Sequence, residues 1–265
     1  MANVLKRLLL NGLPEPLSRP FRKWHYARTI PSVSEIEEPD FAVLQQLVKP
    51  GEPVVDVGAN YGLYTHFLAR LVGPAGQVFA FEPVAATFDV LEHNIKKWRL
   101  ENVRLFDIAL SDMQTRFVME IPIHETGVES FYDARIITGE PEAGLRHVEI
   151  EAETMDSVFA ENPAQPSFIK IDVEGHEYRT LVGARQTITR YRPSLLIEIA
   201  ADPDDPASDG GKIRKELGDL GYGIYVYADT ILRRKPQAKP SVNYFFLNSG
   251  HIERLRGGNL EIIDE

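Results

Sequence analysis

Cysteine is absent from the 265 residues, which excludes structural disulfides, thiolate metal sites and thiol nucleophiles. No apolar run approaches the roughly 18 residues that a membrane-spanning helix needs. Basic residues are outnumbered, 29 against 39, for a formal net charge of -10. That balance argues against binding nucleic acid through general electrostatics. Internal repeats and low-complexity tracts are missing too. What is present is ordinary for a soluble globular chain, 43% hydrophobic and 26% charged. The length suits one large domain or two small ones with a substantial core.

Charge is unevenly spread. Residues 1–30 hold Lys6, Arg7, Arg19, Arg22, Lys23 and Arg28 against Glu15 alone, a local balance of +5 that leaves -15 for the remainder. Leu5, Leu8, Leu9 and Leu10 form a short apolar stretch, cut by Asn11, Gly12 and Pro14. It is too short for a signal peptide and has no clear small-residue cleavage site, so the cytoplasm is the expected location. Residues 1–40 are read as a basic arm or lid. The favoured reading packs it on the domain or on a second copy of the chain. The alternative lays it on an anionic membrane surface or an acidic partner.

From Phe41 onward the pattern alternates helix and strand, as an α/β sheet does. Helices are predicted over 41–48, 64–71, 88–98, 177–191 and 213–220. Strands are predicted over 53–57, 77–81, 103–107, 167–171, 194–199, 222–227 and 242–247, the last two as an antiparallel edge. The expected fold is a Rossmann-like sheet of about seven mostly parallel strands with helices on both faces, filling residues 41–265. Residues 121–147 interrupt the rhythm as a polar insertion suited to substrate contacts, with His124 and His147 as candidates. The acidic loop 201–211 is read as solvated.

The segment Val54-Val55-Asp56-Val57-Gly58-Ala59-Asn60-Tyr61-Gly62 ends a strand in an acid and turns through two glycines into a helix. A dinucleotide site would need G-x-G-x-x-G, and Asn60 and Leu63 stand where two of those glycines belong. The remaining D-x-G-x-x-x-G suits a ligand with an amino-acid end, because Asp56 can orient amide donors or an ammonium group. S-adenosylmethionine is such a ligand. Glu82, in Phe81-Glu82-Pro83, ends the next strand 26 residues later. A carboxylate there can accept hydrogen bonds from both ribose hydroxyls. Asp107, before Ile108 and Ala109, lies where an adenine amino group could be met.

At these residues the chain resembles the FkbM-type methyltransferases. The resemblance rests on Asp56 to Thr65, Phe81-Glu82-Pro83, Ala109-Leu110-Ser111-Asp112, Thr154-Met155-Asp156-Ser157 and, most specifically, Ile169-Lys170-Ile171-Asp172-Val173-Glu174-Gly175-His176-Glu177. It covers roughly residues 41–200. It implies a class I methyltransferase fold, S-adenosylmethionine as donor, and O-methylation of a sugar or natural-product hydroxyl. Thr126 to Phe131 is only loosely similar to the serine-rich segment common in the family, so the substrate class is not carried over with it.

The Asp172 motif also reads without the family. It crowds Asp172, Glu174, His176 and Glu177 at the carboxyl end of a buried strand, where open α/β folds bind ligands. Methyl transfer to a hydroxyl needs an aligned oxygen and a proton acceptor. Asp172, Glu174 and His176 are the candidates. Asp172 is alternatively a holder of a divalent cation such as Mg²⁺, with Glu198 as a second carboxylate on the same cleft or as a substrate contact. Glu174 and Glu177 capping the helix, with His176 bonded to a neighbouring loop, is the structural alternative. Two other functions fit the same fold: N-methylation of a protein or amine, and a noncatalytic nucleoside-binding scaffold.

Overall fold

The computed structural model describes residues 15–123, 129–131, 134–137, 142–234 and 243–263. A nine-stranded sheet forms its centre. Its first strands are β1 (Pro53–Val57), β2 (Gln77–Phe81) and β3 (Val103–Phe106). Next in sequence come a short β4 (Ala109–Leu110), β5 (Thr115–Ile121), β6 (Arg135–Ile136) and β7 (Arg146–Glu153), which form a second, four-stranded sheet. The main sheet resumes with β8 (Phe168–Ile171), β9 (Ser194–Glu198), β10 (Gly223–Ala228), β11 (Ile231–Arg234), β12 (Asn243–Leu247) and β13 (Glu261–Ile263). Its spatial order is β13-β11-β10-β12-β9-β8-β1-β2-β3.

The helices are α1 (Glu15–Thr29), α2 (Asp40–Leu47), α3 (Leu63–Val72), α4 (Ala85–Trp98), α5 (Met155–Glu161), α6 (Glu177–Gly183), α7 (Arg185–Tyr191), α8 (Asp209–Asp219) and α9 (Ser249–Arg256). Strands β1, β8 and β9 are apolar on both faces because helices cover both sides. Val55, Phe79, Ile169 and Leu195 pack with residues of α5 to α8. Val54, Val78, Phe168 and Leu196 pack with α2, α3 and α9. Among the described residues, no helix is long and apolar enough to cross a membrane.

The sheet is wider than the expected seven strands. The chain following β10 does not simply turn back. It forms β11, and β13 later pairs parallel to β11 and extends that edge. Arg233 and Arg234 on β11 are exposed, while β13 is the edge strand. β12 is antiparallel as expected, but it lies inside the sheet between β9 and β10. The single helix expected over 177–191 is two. Asp156 reaches across from α5 and accepts the N–H groups of Gln186 and Thr187 at 2.9 and 2.8 Å. It thereby caps a new helix start where one continuous helix would have closed those donors internally.

Within the stretch read as a polar insertion, the described residues Ile121, Arg135, Ile136, Arg146 and His147 belong to the second sheet. β5 and β7 pair antiparallel along their length, from Thr115 opposite Ala152 to Ile121 opposite Arg146. The inner face of this sheet buries Met119, Ile121, Ile150 and Ala152 with Val84, Phe131 and Ala134. That packing sets the sheet beside the tip of β2. The helix α1 lies along α4, with the Arg22 guanidinium 5.0 Å from the Phe131 ring. Arg19 and Lys23 pair with Asp89 at 2.5 and 2.6 Å, and Trp98 donates through Nε1 to the Ala27 carbonyl at 2.9 Å.

Candidate functional site

The carboxyl ends of β1, β2, β8 and β9 carry the acids expected from the sequence. Asp56 is fully buried. Its Oδ2 accepts from Thr65 Oγ1 at 2.5 Å, while Oδ1 has no hydrogen-bond partner. Burial pushes its carboxyl pKa up, with Lys170 opposing the shift. The following turn is pinned to β2, since Gly58 and Ala59 both donate to the Phe81 carbonyl. Gly58 has φ +79°, and a Cβ there would lie 1.7 Å from the carbonyl oxygen of Asp172. Glycine is what allows the β1 and β8 tips to touch.

Glu82 is buried with its two oxygens tied separately. Oε2 accepts the Asn60 N–H at 3.0 Å and Oε1 the Val84 N–H at 2.9 Å. Burial raises its pKa to about 7, against the lowering effect of those two bonds. Each oxygen keeps lone-pair capacity for a further donor.

At the β8 tip, Lys170 donates to Asp172 Oδ2 at 2.7 Å and lies 4.5 Å above the Tyr64 ring. The turn beyond runs through left-handed conformations at Glu174 and Gly175, with φ of +52° and +94°. Glu177 Oε1 closes it, accepting the N–H of Gly175 at 2.8 Å and of Val173 at 3.3 Å. Glu177 is thus the clamp of this turn. His176 is buried, with Nε2 2.9 Å from Ser111 Oγ and its ring edge-on to Phe117. Burial, then the nearby Arg179, lowers its pKa.

Two clefts meet along these tips. The first, about 640 Å³ of space partly open to solvent, lies between the strand tips and the second sheet. Glu82, Pro83, Ile108, Ala109, Glu174 and His176 line it, with Met119 and Phe131 across from them. The second, of about 900 Å³, lies between the tips and the N-terminal helix. Asp56, Ala59, Tyr61, Lys170 and Glu198 line it. Gly58, Asn60 and Asp172 border both. Glu198 ends β9 with its pKa raised to about 7, by burial first and then by Asp172.

The structure therefore brings Asp56, Gly58, Ala59, Asn60, Tyr61, Glu82, Pro83, Ile108, Ala109, Asp172, Glu174, His176 and Glu198 to one pair of clefts. Thr65 and Gly62 stand behind the loop, Thr65 on Asp56 and Gly62 at the start of α3. Asp107 is exposed and outside the lining of both clefts. His147 pairs with Glu120 at 3.5 Å in the second sheet. His124 lies outside the described residues. Among the described residues no group of three His, Cys, Asp or Glu side chains is arranged to hold a metal ion.

The sequence reading took Lys170 and Ser111 only as parts of motifs, with no role of their own, and did not single out Tyr26, Glu38 or Asn243. For Lys170, a lysine inside the apolar strand Phe-Ile-Lys-Ile was the available signal, because a buried ammonium needs a partner.

S-adenosylmethionine fits this arrangement. The unpartnered buried oxygens Asp56 Oδ1 and Asn60 Oδ1 offer acceptors beside the glycine turn. Glu82, Ile108 and Ala109 line the first cleft, where they would give an acceptor to the ribose and apolar contact to the adenine ring.

A family model described as the methyltransferase FkbM domain matches residues 56–224. Methyltransferase sdnD of Sordaria araneosa is 25% identical over 200 residues, covering 66% of this chain and 75% of that protein. The 31-O-demethyl-FK506 methyltransferase FkbM of Streptomyces tacrolimicus is 30% identical over 171 residues, covering 51% of this chain and 60% of that one. Among solved structures, methyltransferase FkbM from Methylobacillus flagellatus KT aligns with a TM-score of 0.49 and 17% identity, over 80% of this chain and 52% of that chain.

Proposed function

Because the chain belongs to the FkbM methyltransferase domain family, we propose that it moves the methyl group of S-adenosylmethionine to a hydroxyl oxygen of a sugar or natural-product small molecule. The observation that carries this reading is the meeting of two clefts at Gly58, Asn60 and Asp172. One has the polar groups for a nucleoside, and the other can present an acceptor to the same point. The name of the Streptomyces tacrolimicus relative gives a 31-O-demethyl compound as what that protein methylates, and this supports oxygen as the acceptor atom.

Asp56, Asn60 and Glu82 would hold the donor, with Ile108 and Ala109 against its base. The donor supplies an electrophilic methyl group on a sulfonium. Everything else falls to the chain's own groups. The hydroxyl must be held in line and must lose its proton as its bond to carbon forms. His176 sits in the donor cleft with Nε2 on Ser111, and Lys170 occupies Asp172 Oδ2. Glu198, facing the second cleft, takes the proton in this reading, and Asp172 positions the oxygen.

The sign of the pH effect follows. A carboxyl with a pKa near 7 accepts a proton only when ionised, so kcat/KM should rise as pH rises through about 7. Assays with methyl-labelled donor on wild type and Glu198→Gln should show a drop in kcat of about a hundredfold. The variant should lose that pH limb while its affinity for S-adenosylhomocysteine stays within twofold. An unchanged rate and an unchanged limb in Glu198→Gln would move the proton-accepting role away from Glu198.

A further inference from the structure

The family match starts at residue 56 and ends at residue 224, yet the second cleft is walled in part by residues on either side of that span. Tyr26 reaches it from α1, Ile30 from the turn after α1, Val33 and Glu38 from the approach to α2, and Asn243 from the start of β12. These groups are fixed in place. Tyr26 stacks on Tyr61 of the donor loop with ring centroids 4.1 Å apart. Glu38 Oε1 accepts from Tyr64 Oη at 2.8 Å, and Asn243 donates to Asp40 at 2.7 Å.

The lining of the cleft joins two chemistries. Tyr26, Tyr61, Ile30 and Val33 give it aromatic and aliphatic surface. The carboxylates of Glu38, Asp172 and Glu198 line the same space, with Lys170 bonded to Asp172. Apolar surface and a set of acceptors in one cleft suit a ring that presents both C–H groups and hydroxyl or ammonium donors. A carboxylate or phosphate on the acceptor would meet like charge in a partly desolvated space.

We infer that the segment from Tyr26 to Glu38 is the acceptor-selecting wall of the site, and that it admits neutral or aminated polyhydroxylated rings and rejects anionic ones. This rests on the methyltransferase reading. Tyr26 and Glu38 act here as specificity residues, through contact with the acceptor.

The test uses the full chain, methyl-labelled donor and four probes: methyl glucoside, methyl glucosaminide, methyl glucuronide and glucose 6-phosphate. Wild type, Tyr26→Leu and Glu38→Gln are compared, with S-adenosylhomocysteine affinity measured by calorimetry for each. The expected result is methylation of the neutral or aminated probe, with kcat/KM at least tenfold lower for the anionic pair. Tyr26→Leu should raise the acceptor KM about tenfold with S-adenosylhomocysteine affinity unchanged. Glu38→Gln, which keeps an acceptor for Tyr64, should narrow the neutral-to-anionic ratio severalfold. Preference for an anionic probe overturns the inference. So does an unaltered KM and ratio in both variants, or donor binding with no turnover of either non-anionic probe. Failure of the wild type to bind S-adenosylhomocysteine at all would instead sink the methyltransferase reading itself.

Discussion

Glu82→Ala is expected to weaken S-adenosylhomocysteine at least a hundredfold by calorimetry, while the protein still melts cooperatively. The two oxygens of Glu82 are held by the N–H groups of Asn60 and Val84. In the proposed reading their remaining lone pairs would accept from the ribose hydroxyls. A hydrogen bond to a charged group contributes about 1.5–3 kcal/mol, so losing a pair costs two decades or more. The pH dependence gives an independent check. With the folded pKa raised from 4.5 to about 7, Glu82 holds its proton in the native state where the unfolded chain has released it. Its contribution to stability is therefore greatest below the unfolded pKa and is lost as pH rises through about 7. Glu82→Gln should flatten that decline in melting temperature. Hydroxyl donors favour the ionised carboxylate, so wild-type affinity for S-adenosylhomocysteine should improve as pH rises through about 7 and release protons on binding. Undiminished affinity in Glu82→Ala would remove Glu82 from the donor site.

Gly58→Ala should be the most damaging single methyl group in the loop. The added carbon would sit 1.7 Å from the Asp172 carbonyl oxygen, at φ +79°. That neighbour is backbone and cannot rotate aside. The β8 tip would have to retreat, breaking the bond from the Asp172 N–H to the Val57 carbonyl, 3.1 Å long. A loss on the order of 3 kcal/mol or more is expected, measured by denaturant titration, together with loss of donor binding. Gly175→Ala is the control. Its φ of +94° is similar, yet no atom lies within 4 Å of the new carbon. Backbone strain alone should cost it about 1–2 kcal/mol. Equal losses in the two variants would mean that strain, and not contact between the strand tips, sets the effect.

The strand-end acids were legible because a buried parallel strand is a short valine-rich run, and the residue that ends it faces the cleft by topology alone. The second sheet was not. Thr115–Ile121 and Arg146–Glu153 alternate apolar and charged residues, but the connection between them is rich in glycine and charge and obscures the pairing. Strand β12 could be recognised from Asn-Tyr-Phe-Phe-Leu, whereas its insertion between β9 and β10 depends on long-range pairing that no local pattern encodes. The same holds for the wall from Tyr26 to Glu38. Its contacts, such as Trp98 with Ala27, join residues 71 apart. Asp156 reads as a motif residue in the sequence, and the structure gives it a plain task in starting α7.

The place of β12 bears on how the protein is made. Its partners β9 and β10 both precede it in the chain, and each hydrogen-bonds to it and not to the other. During vectorial synthesis a nascent chain that has released β10 but not Asn243–Leu247 carries two bare strand edges flanking a gap. Such edges are templates for pairing with other chains. The gap fills only once Asn243–Leu247 arrives, and β13 then joins the edge beside β11. The middle of the sheet is thus completed after both of the strands that flank it have been made.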